Sequence, residues 1–222
     1  MTIKLYMVRH GQTILNLYNR LQGWCDSPLT KKGIQDAQIA SQHLQKINFD
    51  VVYHTNTIRT RRTSQIILDN NLSSKKITPI PLPYFREQGF GYFEAADANQ
   101  TWLIAGANHG TKTYDEILQK YSFAQTRDFL NTADPFKKAE TDNDYWERLT
   151  NGFAYLRNHC TDNQNILLVT HSITTRSIVD HFAPELGAYQ TGPRNGAVTK
   201  LELSSNDVKV VYYNHYLDTE EY

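Results

Sequence analysis

Ile3-Lys4-Leu5-Tyr6-Met7-Val8-Arg9-His10-Gly11-Gln12-Thr13 is the stretch on which the fold turns. Residues 3–8 form a short β-prone run that stops at a polar cluster, and Gly11 permits a tight backbone path there. Runs of this kind suit buried strands of a parallel sheet. Two later runs repeat the pattern, residues 51–53 before His54 and residues 166–170 before His171. Residues 197–203 and 208–213 predict a late pair of strands, with Ser204-Ser205-Asn206-Asp207 as the turn signal.

Helical patterns lie between the runs. Residues 30–45 place Ile34, Ala37, Ala40, Ser41 and Leu44 on one face. Residues 57–68 and 173–182 predict two more helices. Tyr145, Leu149, Gly152, Phe153 and Leu156 make a further apolar stripe, with Asp142 or Asp144 as the expected cap. Pro79, Pro81 and Pro83 exclude a helix and force extended chain before Phe85. Strands alternating with helices predict an α/β layered fold. At 222 residues the reading is one domain, 1–222. Residues 94–138, weakly periodic, read as a cap of short helices and loops over one end of the sheet.

Composition removes several classes. Hydrophobic residues are 40% and charged residues 21%, with 11 glycines and 7 prolines, so disorder and collagen-like repeats are excluded. No run approaches the ~20 apolar residues of a membrane helix. Arg9 and His10 interrupt the start where a signal peptide needs its apolar stretch. The expectation is a cytoplasmic protein. Cys25 and Cys160 form no close pair and are expected as reduced thiols. Net charge is zero, yet residues 1–62 carry nine basic against three acidic side chains. A local basic centre on a neutral chain fits a small anion better than a nucleic-acid backbone.

Four segments carry candidate chemistry. Arg9-His10-Gly11 ends the first strand, where α/β sheets bind ligands. The cations hold a neutral imidazole, and a phosphate would satisfy the guanidinium. Asn16 can donate an amide hydrogen bond. Taken alone, a histidine at a strand end is more often structural. Arg59, Arg62 and Thr63 share a face of the next helix, near its N-terminus; the alternative is a solvated basic helix, preferred for Arg61. Glu87 lies among Phe85 and Phe90, where a carboxylic acid with a raised pKa can act as a general acid. An ordinary Arg86–Glu87 surface pair explains it as well. His171-Ser172 ends the third run. Two strand–histidine junctions, an arginine and an acid together point to phosphoryl transfer.

These segments resemble a family. RHGQT-x-x-N (residues 9–16), LQGWCDSPLTKKG (21–33), YHTNTIRTRRTS (53–64), FREQGFGYFE (85–94), AET-x-x-D-x-x-x-R (139–148) and LLVTHS (167–172) look like the histidine phosphatase superfamily, in its phosphoglycerate-mutase-like branch. The match continues to PRNGAVTKLEL (193–203). The resemblance implies a three-layer α/β/α sandwich with a mostly parallel central sheet. It implies His10 as the phosphorylated nucleophile, Arg9, Arg59 and His171 as binders of the phosphoryl oxygens, and Glu87 as proton donor. Asn16, Gln22, Gly23 and Ser172 would support the substrate pocket.

Asn56 stands where the family usually has Asp, and Ser172 where it usually has Gly; His54, Thr55 and Thr60 also depart. The R-H-Y-G pattern of the cofactor-dependent mutases is missing around Gln88 and Phe90, and residues 94–138 carry no match to their paired arginines. The expectation is therefore a metal-independent phosphomonoesterase acting on a small phosphorylated metabolite, without a cofactor. A mutase and a non-catalytic phospho-ligand binder are the alternatives. The expected partners are a phosphorylated substrate or inorganic phosphate, with no nucleic acid and no membrane; a homodimer stays open. Phe93, Trp102, Tyr114 and Tyr121 could line the cap, with core packing the favoured role.

Overall fold

Residues 2–74 and 76–222 are described by the computed structural model. The centre is a six-stranded sheet in the order β3-β2-β4-β1-β5-β6. Its strands are β1 (Ile3–Arg9), β2 (Val51–His54), β3 (Ile80–Pro81), β4 (Asn165–Thr170), β5 (Val198–Leu203) and β6 (Val208–His215). The β1/β4, β4/β2 and β2/β3 pairs are parallel, whereas β5 runs antiparallel to β1 and to β6. The predicted turn closes the late hairpin, where the Ser204 N–H meets the Asp207 carbonyl at 3.0 Å.

Alternation along the strands builds three layers. Leu5, Met7, Tyr53, Ile166 and Leu168 point to one face and pack with Tyr145, Leu149, Phe153 and Leu156 of α7 (Asp142–His159) and Ile178 of α8 (Ser172–Phe182). Tyr6, Val8, Val52, Leu167 and Val169 point to the other. There they meet Ala40 and Leu44 of α2 (Lys31–Leu44) and Ile67 and Leu68 of α3 (Ile58–Asn70). A period of two with both faces covered is what a buried parallel sheet requires. No helix among the described residues is long and apolar enough to cross a membrane. Both cysteines are free.

Two local expectations are corrected. Thr141 caps α7, accepting from the Asp144 N–H while the Asp144 side chain returns to the cap. Asp144 thus completes a capping box, and neither aspartate is the cap itself. On α2, Gly33 and Asp36 are buried while Ile34 is only partly so. Asp36 accepts from the Gln12 N–H and pairs with Lys32 at 2.6 Å, which ties the helix to the segment after β1. Gly33 lies so close to that segment that a Cβ would sit 2.0 Å from the Gln12 carbonyl oxygen.

Residues 94–138 supply α4 (Ala98–Gly106), α5 (Tyr114–Lys120) and α6 (Phe123–Ala133). Phe90, Phe93, Trp102, Ile117 and Leu130 form a separate apolar cluster there, which reaches Ile173 in the first turn of α8. Trp102 and Tyr114 lie 4.5 Å apart by ring centroids, and Tyr121 packs against the same cluster. These aromatics hold the three helices together.

Candidate active site

β1 and β4 are neighbours with Arg9 level with Thr170. The residues that follow each strand therefore emerge side by side at the carboxyl ends of the two central strands. The rings of His10 and His171 lie 5.2 Å apart with their planes at 67°.

His10 is buried, and its Nδ1 lies 2.8 Å from the Gly11 carbonyl oxygen. A carbonyl only accepts, so Nδ1 carries the proton and Nε2 keeps a lone pair. Burial holds this imidazole well below its usual pKa, and Arg59 and Arg9 push the same way. The outcome is a neutral ring with a free nucleophilic nitrogen.

His171 is buried as well. Its Nδ1 is 3.2 Å from Arg59 Nη2, and its Nε2 is 2.6 Å from Thr55 Oγ1. A guanidinium only donates, which places the ring proton on Nε2. Burial, then Arg59, depresses this pKa too. In this geometry His171 orients Arg59, and both its nitrogens are engaged.

Arg59 is fully buried. Its Nη1 donates to the Cys25 carbonyl and to Asp26 (2.8 and 3.0 Å), and its Nη2 to the Gly23 carbonyl (2.7 Å). Arg9 Nη1 donates to the Pro193 carbonyl at 2.6 Å. The Nε of each arginine is buried without a hydrogen-bond partner among the described residues. Buried charged donors left unpaired beside a neutral imidazole are the hydrogen-bonding signature of an anion site. Arg62, expected to share this face, is exposed; Thr63 instead is buried and accepts from the Gly11 N–H at 3.2 Å.

Glu87 departs from its expected setting. Phe85 belongs to the sheet core and Phe90 to the cap cluster. The carboxylate sits at the start of α8. Its Oε2 accepts from the Ile173 N–H at 2.9 Å. Its Oε1 accepts from the N–H groups of Thr174 (2.9 Å) and Gln88 (3.1 Å). A helix N-terminus, rather than an apolar pocket, holds this acid in place.

The remaining expected residues have structural duties. Asn16 spends its Oδ1 in the capping box of α1 (Ile14–Leu17) and leaves Nδ2 as its donor. The Gln22 side chain lies between Thr13 Oγ1 at 2.5 Å, Ser27 and Arg59, with its amide nitrogen toward Thr13. The Gly23 N–H meets Glu94 at 3.1 Å and its carbonyl meets Arg59, so neither polar group is left for a ligand. Ser172 is partly exposed at the first position of α8, one residue from His171.

Sequence reasoning passed over the groups that fix this arrangement. Glu94 accepts from the N–H groups of Gly23, Trp24, Cys25 and Phe90 at 2.9–3.1 Å. Asp26 closes the same loop on Arg59. Arg148 pairs with Glu140 through two 2.8 Å bonds and donates to the carbonyls of Tyr84, Arg86 and Glu87. Glu140 and Arg148 lie inside a quoted motif, which was the available signal. Thr55 was visible only as a departure from the family pattern. Asn56, another departure, has φ 57°, a conformation asparagine tolerates well. The Cys25 thiol, pushed up to about 12 by burial and by Glu94, is inert at neutral pH.

Two buried histidines and two buried arginines gathered at the ends of the central strands of a three-layer α/β fold make a candidate anion site. A family model described as histidine phosphatase superfamily (branch 1) matches residues 5–215, and the chain belongs to that family. Among curated relatives, the zebrafish (Danio rerio) fructose-2,6-bisphosphatase TIGAR B is 41% identical over 108 residues, taking in 48% of this chain and 42% of the relative. The 2,3-bisphosphoglycerate-dependent phosphoglycerate mutase of Protochlamydia amoebophila is 26% identical, over 96% of each chain. A solved phosphoglycerate mutase from Bacillus anthracis superposes with a TM-score of 0.83 at 27% identity, over 96% of this chain and 93% of the other. Members so named act as phosphatases or as mutases.

Proposed function

We propose that this chain is a phosphomonoesterase that works through a phosphohistidine on His10, with a small phosphorylated metabolite as substrate. The observation that carries this reading is the Nδ1 contact of His10 with the Gly11 carbonyl, which leaves Nε2 free on a ring that feels two buried arginines, each with an unpaired Nε.

The chemistry runs in two steps. Nε2 of His10 attacks phosphorus as the ester P–O bond breaks, and Glu87 gives its proton to the departing oxygen. Water then attacks phosphorus, its proton passes to Glu87, and the P–N bond breaks to release inorganic phosphate. Splitting one hard displacement into two is the gain from a covalent intermediate. Arg9 and Arg59 supply fixed positive charge to the phosphoryl oxygens, so the step needs no reorganisation. His171, with both nitrogens engaged by Arg59 and Thr55, acts on the phosphoryl group through the guanidinium that it orients.

The test is acid-quench trapping with a labelled phosphomonoester. Wild type is expected to carry label on His10, and His10→Ala is expected to lose both label and turnover while keeping its fold. Turnover by His10→Ala above background would falsify the assignment. The mutase reading is favoured by the full-length similarity to phosphoglycerate mutases. Isomerisation of a phosphoglycerate that depends on a bisphosphorylated primer, with little phosphate release, would establish it instead.

A further inference from the structure

We propose that Thr174 is a positioning residue for Glu87, and that its hydroxyl hydrogen changes acceptor as the acid gives up its proton. The proposal rests on Glu87 being the proton donor. Thr174 is fully buried in the first turn of α8. Its N–H and its Oγ1 both face Oε1 of Glu87, at 2.9 and 3.1 Å. Gln88 N–H adds a third contact to Oε1, whereas Oε2 is held by the Ile173 N–H. Oε1 is thus the more heavily anchored oxygen, and the proton transfer is assigned to Oε2.

The Thr174 hydroxyl has a second acceptor, the Arg86 carbonyl oxygen at 2.7 Å. One hydroxyl carries one hydrogen. While Glu87 is protonated, the nearer carbonyl takes it. As the proton leaves Oε2 for the departing alkoxide, the new carboxylate becomes the stronger acceptor and the hydroxyl turns to Oε1. Arg86 is not stranded, because Arg148 Nη1 also donates to its carbonyl at 3.0 Å. The Tyr145 hydroxyl on α7 faces Thr174 and has no hydrogen-bond partner of its own among the described residues. The charges acting on this corner are Arg148, bonded to the Glu87 carbonyl, and Arg9 and Arg59, each of which feels the Glu87 carboxylate.

The hydroxyl therefore adds a donor in the transition state of the first step, where the carboxylate forms. Its help scales with how much the leaving group needs a proton. Thr174→Val keeps the shape and removes the hydroxyl; Thr174→Ser keeps the hydroxyl. Both are compared with wild type and Glu87→Gln on phenyl phosphate and on p-nitrophenyl phosphate. Thr174→Val is expected to lower kcat about tenfold on phenyl phosphate and less than about twofold on p-nitrophenyl phosphate, with KM unchanged. Thr174→Ser is expected to restore the wild-type ratio. If Glu87→Gln shows the leaving-group dependence and Thr174→Val loses equally on both substrates, the role of Thr174 is overturned and that of Glu87 stands. If Glu87→Gln shows no such dependence, both fall. Should the valine variant not fold, Thr174→Ala is read in the same way.

Discussion

Thr55 shows how one side chain sets the state of the candidate site through a neighbouring ring. Its hydroxyl takes the Nε2–H of His171, which leaves Nδ1 as the lone pair that Arg59 meets. Thr55→Val would strand a buried ring N–H, at a cost of about 1–3 kcal/mol. The ring then gains by turning, and Arg59 loses its partner. We expect kcat to fall about tenfold in the valine variant and to recover in Thr55→Ser. An unchanged kcat in Thr55→Val would show that His171 holds its orientation without this contact. The convergence of Arg9, His10, Arg59, Glu87 and His171 was legible because each stands at a strand end or within an ordered motif. Thr55 was not, because a hydroxyl after a strand has no pattern of its own; only the fold brings it to His171.

At the level of elements, the loop of residues 22–26 matters most. It encloses a carboxylate, Glu94, that accepts four hydrogen bonds, and it closes on Arg59 from the other side. A Cβ at Gly23 would lie 2.2 Å from the Gln88 carbonyl oxygen, so the loop also packs backbone against the segment that bears Glu87. Glu94→Gln retains one acceptor oxygen and turns an amide NH₂ toward N–H donors. We expect a loss of about 2–4 kcal/mol, read as a midpoint lower by roughly 4–16 °C in thermal melts, together with weaker phosphate binding as Arg59 loosens. Phosphate affinity equal to wild type would separate the loop from the anion site. The strands and long helices were readable from periodicity. The loop was not, since its shape comes from contacts 69 to 71 residues away in sequence. Residues 94–138 read as a break in pattern, and their three helices, capped individually by Asp97, Thr113 and Ser122, did not stand out.

For the whole molecule, the two buried histidines at the ends of β1 and β4 link stability to pH. Burial depresses both below the ordinary imidazole value, and His54 shifts the same way. The folded chain keeps these rings neutral, whereas the unfolded chain takes up protons below about pH 6.5. The stability they confer is present above that value and is lost as pH falls. Each fully shifted ring costs up to about 1.4 kcal/mol per pH unit in that window. Urea unfolding at pH 7.5, 6.5 and 5.5 is expected to show this decline, and His10→Asn to flatten it. A decline of the same slope in His10→Asn would assign the effect to other groups.

The pairing of β1 with β4 has a wider consequence. The gap between the two imidazoles is inherited from the spacing of neighbouring strands, about 4.8 Å, and owes nothing to residues 94–138. With Glu94 kept to hold the loop of residues 22–26, the segment beyond it can diverge or lengthen while the two rings stay in gauge. A chimera that keeps Glu94 and carries a foreign segment from residue 95 onward is expected to hold the two rings at the same separation.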